Sequence, residues 1–368
     1  MKPANLEDWY RDRYFADVTD ISGSGVYDYN FSELLALSDF EPTELNDLVF
    51  HDNPTFGDYE NRRIIAQRWG TGDPERVITC NGSNEALSLI MNATLQAGDE
   101  VVSVSPFYHC HANIAEHIGC KVSYWTLQAQ HDFQPDFTQL KALLNQQTKM
   151  VVVNFPHNPT GINLTEAQMR ELVDIVASVD AFLLWDGAFE DLQFDNQTPT
   201  PIALYDKCIL TSTFSKAYGF PGLRYGWCIM PDELLRDAQI YKDYSNLYVS
   251  VIVEKFANVV LRNIDKFYRP RYQEAAENRA LMQQWLDAHQ AYFQSYELGG
   301  GVTCFPRFKG AMSTQALCDT LFEQYALLLV PGECFDCPGH VRIGFGTEQQ
   351  TLKKGLDTLS KALDELCK

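Results

Sequence analysis

The amino-acid sequence predicts an α/β protein, a large domain with a mostly parallel sheet plus a smaller α/β domain, and three observations carry that prediction. Six short apolar runs rich in branched residues, at 77–80, 100–104, 121–125, 150–155, 182–185 and 208–214, are mostly separated by stretches of helical period and length. A parallel sheet with helices on its faces requires such alternation. A seventh run, 225–230, follows the sixth too closely for a helical crossover and is expected to run antiparallel. After Gly299-Gly300-Gly301 a shorter alternation begins, with strand-like 302–308, 326–330 and 340–345 between helices around 314–325 and 349–367.

Taken in order, residues 1–45 form an arm expected to join the smaller domain. Leu6, Trp9, Tyr10 and Arg13 fall near one face of a helix between residues 6 and 15. Asp20-Ile21-Ser22-Gly23-Ser24-Gly25-Val26 then makes a loop whose glycines allow close backbone approach to a ligand. Asn53-Pro54-Thr55-Phe56-Gly57-Asp58 leads into a helix over 59–69. Helical patterning returns from 232 to 288 and includes a long candidate near 251–264 that could bridge two domains. The expected division is an N-terminal arm at 1–45, a large domain at 46–255 and a small domain at 256–368, with no repeat and no low-complexity linker.

Composition narrows the function. At 368 residues, 45% hydrophobic and 12% aromatic, the chain can bury a substantial core. No apolar run approaches the roughly 20 residues of a membrane span, and the start lacks a signal-peptide core. The 10 cysteines therefore read as reduced thiols of a cytoplasmic protein. His109-Cys110-His111 and the pair Cys334 and Cys337 invite a metal reading, but a structural zinc site wants four ligands and no second pair is convincingly spaced, so no metal is expected. A net charge of −20 argues against nucleic acid and tolerates a cationic small substrate, although solubility alone explains an acidic surface.

The chemistry gathers at the ends of the predicted strands. Thr213-Phe214-Ser215-Lys216 closes one run, and a glycine-punctuated turn delivers Arg224 eight positions after the lysine. A lysine held there, partly desolvated and near positive charge, is neutral often enough to form an imine with an aldehyde. Thr213, Ser215 and Arg224 are the kinds of group that hold a phosphate dianion. Asn81-Gly82-Ser83-Asn84 ends another run and opens a helix, so the N–H groups of Ser83 and Asn84 make an anion site without a basic side chain; the plain alternative is a helix cap. Tyr108 can stack on a flat ring or fill the core. Asp186, at the end of Phe182-Leu183-Leu184-Trp185, can pair with a ring nitrogen or cap a helix. Asn158 lies in Asn154-Phe155-Pro156-His157-Asn158-Pro159-Thr160-Gly161, which could be a turn. Arg342, in His340-Val341-Arg342-Ile343-Gly344, could be half of a surface ion pair.

In order and interval, Asn158, Asp186, Lys216 and Arg224, separated by 28, 30 and 8 residues, resemble the signature of pyridoxal-phosphate enzymes of fold type I, the aspartate aminotransferase family. The resemblance implies pyridoxal 5'-phosphate as cofactor and Lys216 as the catalytic residue that carries it. It places the phosphate on Ser83, Asn84, Thr213, Ser215 and Arg224. Tyr108 then stacks on the ring, Asn158 donates to the phenolate oxygen, and Asp186 keeps the pyridine nitrogen protonated. Ser24 and Gly25 lie in the loop that closes over an amino-acid substrate, and Arg342 binds its α-carboxylate bidentately. Sites of this fold type usually lie at a dimer interface, so a homodimer is expected. Relatives usually carry a tyrosine five residues before the glycine at 57, reaching the phosphate of the neighbouring subunit; Asp52 stands there and places that contact in question.

Several phrases, among them Leu6-Glu7-Asp8-Trp9, Arg13-Tyr14-Phe15, Ser24-Gly25-Val26, Leu184-Trp185-Asp186-Gly187-Ala188-Phe189 and Gly300-Gly301-Val302-Thr303, resemble the capreomycidine synthase-like cyclases of hydroxylated arginine over nearly the whole chain. The resemblance implies a dehydrating cyclisation of hydroxy-L-arginine. A 3-hydroxyl leads to the six-membered capreomycidine ring and a 4-hydroxyl to the five-membered L-enduracididine ring. Overall likeness favours the 4-hydroxyl branch, as in guanitoxin-type biosynthesis, and no single residue decides it. A guanidinium wants carboxylates near the closing loop, for which Glu7 and Asp28 are candidates beside their plain reading as structural acids. The alternatives are an aminotransferase of a basic or aromatic amino acid, and a transcription regulator using the fold as a ligand sensor, against which the acidic charge and the lack of an added DNA-binding segment speak.

Overall fold

The computed structural model describes residues 1–195 and 197–367. The arm holds α1 (Asn5–Arg11), β1 (Thr19–Asp20) and α2 (Phe31–Leu37). Next come α3 (Tyr59–Trp69), β2 (Val77–Cys80), α4 (Ser83–Thr94), β3 (Glu100–Ser105), α5 (Cys110–Ile118), β4 (Lys121–Thr126) and α6 (Phe137–Leu143). They are followed by β5 (Thr148–Asn154), α7 (Glu166–Ala177), β6 (Phe182–Asp186), β7 (Cys208–Thr213) and β8 (Gly226–Ile229). Three helices, α8 (Asp232–Ser245), α9 (Val251–Arg262) and α10 (Ile264–Ala288), lead to β9 (Thr303–Cys304), α11 (Thr314–Tyr325), β10 (Leu327–Leu328), β11 (Val330–Pro331), β12 (Val341–Gly344) and α12 (Gln349–Leu366).

The large sheet has seven strands in the order β2-β8-β7-β6-β5-β3-β4. Every pair from β7 to β4 is parallel, while β8 runs antiparallel to both β7 and β2. The expected antiparallel strand is thus inserted within the sheet, between β7 and β2. Strands β2, β6, β7 and β8 are buried at every residue. Both faces are covered, which is why their sequences read as continuous apolar runs without alternation.

The smaller domain departs from the expected pattern. The strand-like stretch 302–308 forms a ladder only at Thr303 and Cys304, with single bridges from Arg307 to His340 and from Phe308 to Phe293, and 326–330 splits between two partners. β10 pairs in parallel with β1 of the arm, whereas β11 pairs with β12. The arm is anchored here: the indole N–H of Trp9 donates to the Leu329 carbonyl between β10 and β11 (3.0 Å), and Arg13 reaches Asp319 (3.0 Å). The helix expected to run to residue 15 ends at Arg11, after which Arg13 folds back with its guanidinium 3.8 Å from the Trp9 ring centre.

The bridging role expected near 251–264 falls to α10. Its Tyr268 and Tyr272 hydroxyls donate to the carbonyls of Asp191 and Gln193, and further along Asn278 donates to the carbonyls of Phe345 and Thr347. We propose the arm, large and small portions at 1–45, 46–255 and 256–368 as the domains; the cut after 255 passes through α9. Among the described residues no helix is long and apolar enough to cross a membrane.

Candidate active site

The carboxyl ends of β2, β5, β6 and β7 bring the turn after Cys80, then Asn154, Asp186 and the Thr213–Lys216 segment, to one edge of the sheet, where open α/β sheets bind ligands. A cavity of about 730 Å³ lies there, bounded by the sheet edge, the Ser22–Asp28 loop, α1 and β12. The residues picked from the sequence all line it except Thr213.

Lys216 stands three residues past the end of β7, and its Nζ donates to Ser24 Oγ at 3.1 Å. Burial, then the positive charges of Arg342 and Arg224, pull its pKa down to about 8. The nearby loop is held against the lysine's backbone. The Val26 N–H donates to the Lys216 carbonyl (2.8 Å), and a Cβ on Gly25 would stand 2.9 Å from the Ser215 carbonyl oxygen. Gly25 therefore allows a backbone-to-backbone approach, and it lines the cavity as well.

At one end of the cavity lies an anion cradle. Gly82, with φ +81°, turns the chain into α4, and a Cβ there would sit 2.4 Å from Arg224 Nη2. The first-turn N–H groups at Ser83 and Asn84 have no carbonyl one turn earlier to bond. Arg224 Nη1 donates to the Pro221 carbonyl (3.0 Å) and lies 3.4 Å from Ser215 Oγ. Thr213 stands behind this wall: its hydroxyl donates to the Tyr225 carbonyl (2.9 Å) and lies 3.0 Å from Ser215 Oγ, so it orients Ser215 and does not face the cavity.

At the other end, Asp186 Oδ1 accepts from the Ala188 N–H (3.1 Å) and the Thr211 hydroxyl (3.2 Å), while Oδ2 lies 2.7 Å from His111 Nε2. Asn154 donates to the Asp186 carbonyl (2.7 Å) and accepts the Asn158 N–H (3.0 Å). Sequence reasoning missed both His111 and Asn154. It weighed His111 only with His109 and Cys110 as metal ligands, and among the described residues no group of three such side chains could hold a metal. The signal available was helical spacing, since His111 stands three residues after Tyr108 at the start of α5. Tyr108 hydrogen-bonds with Asn84 (3.0 Å) and donates to Glu7 (3.2 Å).

The third wall is β12. Arg342 is 1% exposed; Nη1 donates to Asn158 Oδ1 (3.0 Å), and Nη2 to the Tyr10 hydroxyl (2.7 Å) and the Ser22 carbonyl (3.0 Å). Among the described residues its buried Nε has no partner. Glu7, Asp20 and Asp28 complete an acidic rim, and burial holds Asp28 above the usual carboxylate range despite the opposing charges of Lys216 and Arg271. The site thus joins a depressed lysine, an anion cradle, a buried carboxylate and a buried guanidinium.

Residues 33–359 match the family described as aminotransferase class I and II. The chain is 40% identical to capreomycidine synthase from Streptomyces vinaceus, over 99% of this chain and 94% of that protein. It is 24% identical to an aspartate aminotransferase from Pyrococcus horikoshii, covering 94% and 91% of the two chains. Among solved structures, the PLP-dependent cyclase OrfR superposes with a TM-score of 0.93 at 34% identity, covering 99% and 98% of the two chains. A PLP-dependent aminotransferase from Streptococcus suis gives 0.94 at 28%, covering 100% and 99%. The chain belongs to the class I and II aminotransferase family and is a pyridoxal-phosphate-dependent enzyme of fold type I.

Proposed function

We propose that the protein is a cyclase that removes water from a hydroxy-L-arginine and closes the guanidine onto the carbon chain, with pyridoxal phosphate bound in this cavity. The cavity fits that group. The space beside Arg224 that a Cβ on Gly82 would fill suits a phosphate, and Lys216 and Asp186 line the same cavity beyond it. Ser83, Asn84, Ser215 and Arg224 would hold the phosphate, Tyr108 the ring face, Asn158 the phenolate oxygen and Asp186 the ring nitrogen. Pyridoxal phosphate supplies an electron sink for charge left at the substrate's α-carbon.

The chain's own groups do the rest. Arg342 and the Tyr10 hydroxyl receive the α-carboxylate, and Lys216 Nζ, oriented by Ser24, takes the α-proton. The hydroxyl leaves as water and a guanidine nitrogen bonds to the skeleton, so product equals substrate less one water. Glu7 and Asp28 on the rim are suited to the guanidinium, and these carboxylates, together with the full-length likeness to capreomycidine synthase, carry the reading. Loss of a 4-hydroxyl also needs a proton taken from Cβ, which the same lysine can perform. We propose 4-hydroxyarginine, leading to the five-membered ring, as the first substrate, on overall sequence likeness. We also propose a homodimer, the assembly common to this fold.

Incubation with 3- and 4-hydroxyarginine, each without a 2-oxo acid, tests the reading by product mass. Loss of one water with nitrogen retained is expected. Formation of an oxo acid that depends on an acceptor makes the protein an aminotransferase and overturns the proposal.

Two further results are expected. Capture of pyridoxal by the stripped protein should speed up with rising pH and level off above about pH 8, because only the neutral amine attacks. At pH 7 the neutral fraction is then roughly 300-fold that of an ordinary lysine; a profile still climbing at pH 10 contradicts it. Tyr10→Phe removes a hydroxyl beside Arg342 and should raise KM about tenfold with little change in kcat.

A further inference from the structure

Behind the anion cradle lies an ion pair, buried on its lysine side and partly exposed on its carboxylate side, that the reaction does not use. Lys242 of α8 has a fully buried side chain, and its Nζ donates to Glu85 Oε1 (2.8 Å) and Asn246 Oδ1 (3.1 Å). Glu85 stands in the first turn of α4, the helix whose start forms the cradle. Its Oε2 accepts from the Asn81 N–H (2.7 Å), the Asn81 side chain (2.8 Å) and the Asn246 side chain (2.7 Å). The carboxylate therefore pins the residue immediately before Gly82.

A carboxylate in a first turn also competes electrostatically with any anion bound at the same helix start. Lys242 is the countercharge that quenches this competition, and burial leaves little water to screen it. We propose that Lys242 and Glu85 form a brace that sets the affinity of the cradle for the cofactor's phosphate: Glu85 fixes the turn, and Lys242 cancels its charge so that the helix start and Arg224 act on the phosphate undiminished. This rests on the reading of the Gly82–Arg224 turn as the phosphate site.

The test compares pyridoxal phosphate with pyridoxal, which lacks the phosphate, by absorbance titration of the stripped full-length protein. Lys242→Met leaves Glu85 uncompensated, so affinity for pyridoxal phosphate should fall at least about tenfold while that for pyridoxal holds. Glu85→Gln should not weaken pyridoxal phosphate, and the double variant should recover to within about threefold of the parent. A merely structural pair gives another outcome, in which both singles weaken both ligands and the double is worse still; that result overturns the brace. Arg224→Ala serves as the control. If it leaves the preference for the phosphorylated ligand intact, the cradle reading itself fails, and with it the brace. If Arg224→Ala abolishes that preference and Lys242→Met does not touch it, the brace alone fails.

Discussion

Replacing Lys216 by alanine is expected to lower kcat by at least about 10⁴-fold and to leave the reconstituted protein without the visible chromophore of a lysine-bound cofactor. The size of the loss follows from the two roles that meet on one nitrogen. Nζ faces the cavity with its pKa drawn down to about 8 by burial and by Arg342 and Arg224, so it is available as nucleophile and as base near neutral pH. No neighbour can replace it as the nucleophile, because Ser24 is a hydroxyl, the adjacent guanidiniums stay protonated, and the cavity's carboxylates Glu7 and Asp28 cannot form an imine. The proposed phosphate cradle is left intact by the substitution, so pyridoxal phosphate should still bind, though reversibly. Absorbance after gel filtration separates the lost linkage from lost binding. A coloured, active alanine variant would sink the assignment of Lys216.

What the sequence made legible depends on distance along the chain. Parallel strands buried on both faces show as apolar runs, and the polar residue that ends each run stands at the sheet edge by construction, so Asp186, Lys216 and the Asn81–Asn84 turn could be read directly. Contacts made across long separations had no local trace. Tyr10 meets Arg342 only because β1 pairs with β10 and draws the arm over the small domain. His111 meets Asp186 across the sheet edge, from a helix that follows β3 to the end of β6, with β5 lying between those two strands. Thr213 stands behind the cavity wall for a local reason. Side chains on a strand alternate in direction, and the neighbour two residues on, Ser215, takes the cavity side while Thr213 bonds to the Tyr225 carbonyl, because the strand has ended between them. The split of 326–330 between two partners was equally hidden, because an apolar pentapeptide carries no mark of where it changes sheets.

Asp186→Ala should cost about 10²- to 10³-fold in kcat while Lys216 still captures the cofactor. The carboxylate ends β6 at the floor of the cavity, and the hydrogen bonds from Ala188, Thr211 and the His111 ring fix both of its oxygens, so little rearrangement is needed when a ring nitrogen is set against it. In the proposed role of Asp186, alanine removes the negative charge that would favour a protonated ring, and with it the sink for charge developing at the α-carbon. The binding groups at the opposite end of the cavity are untouched. The loss should therefore appear in kcat with KM nearly constant, the sign of an interaction that matters only in the transition state. Asp186→Asn discriminates charge from shape, since the amide keeps the volume and two of the contacts yet cannot hold a ring N–H⁺ as an ion pair; it should resemble alanine. His111→Phe, which withdraws one partner of Oδ2 and leaves the charge, should cost no more than about tenfold. A rate loss in His111→Phe as large as that in Asp186→Ala would mean that the imidazole, not the carboxylate, serves the ring.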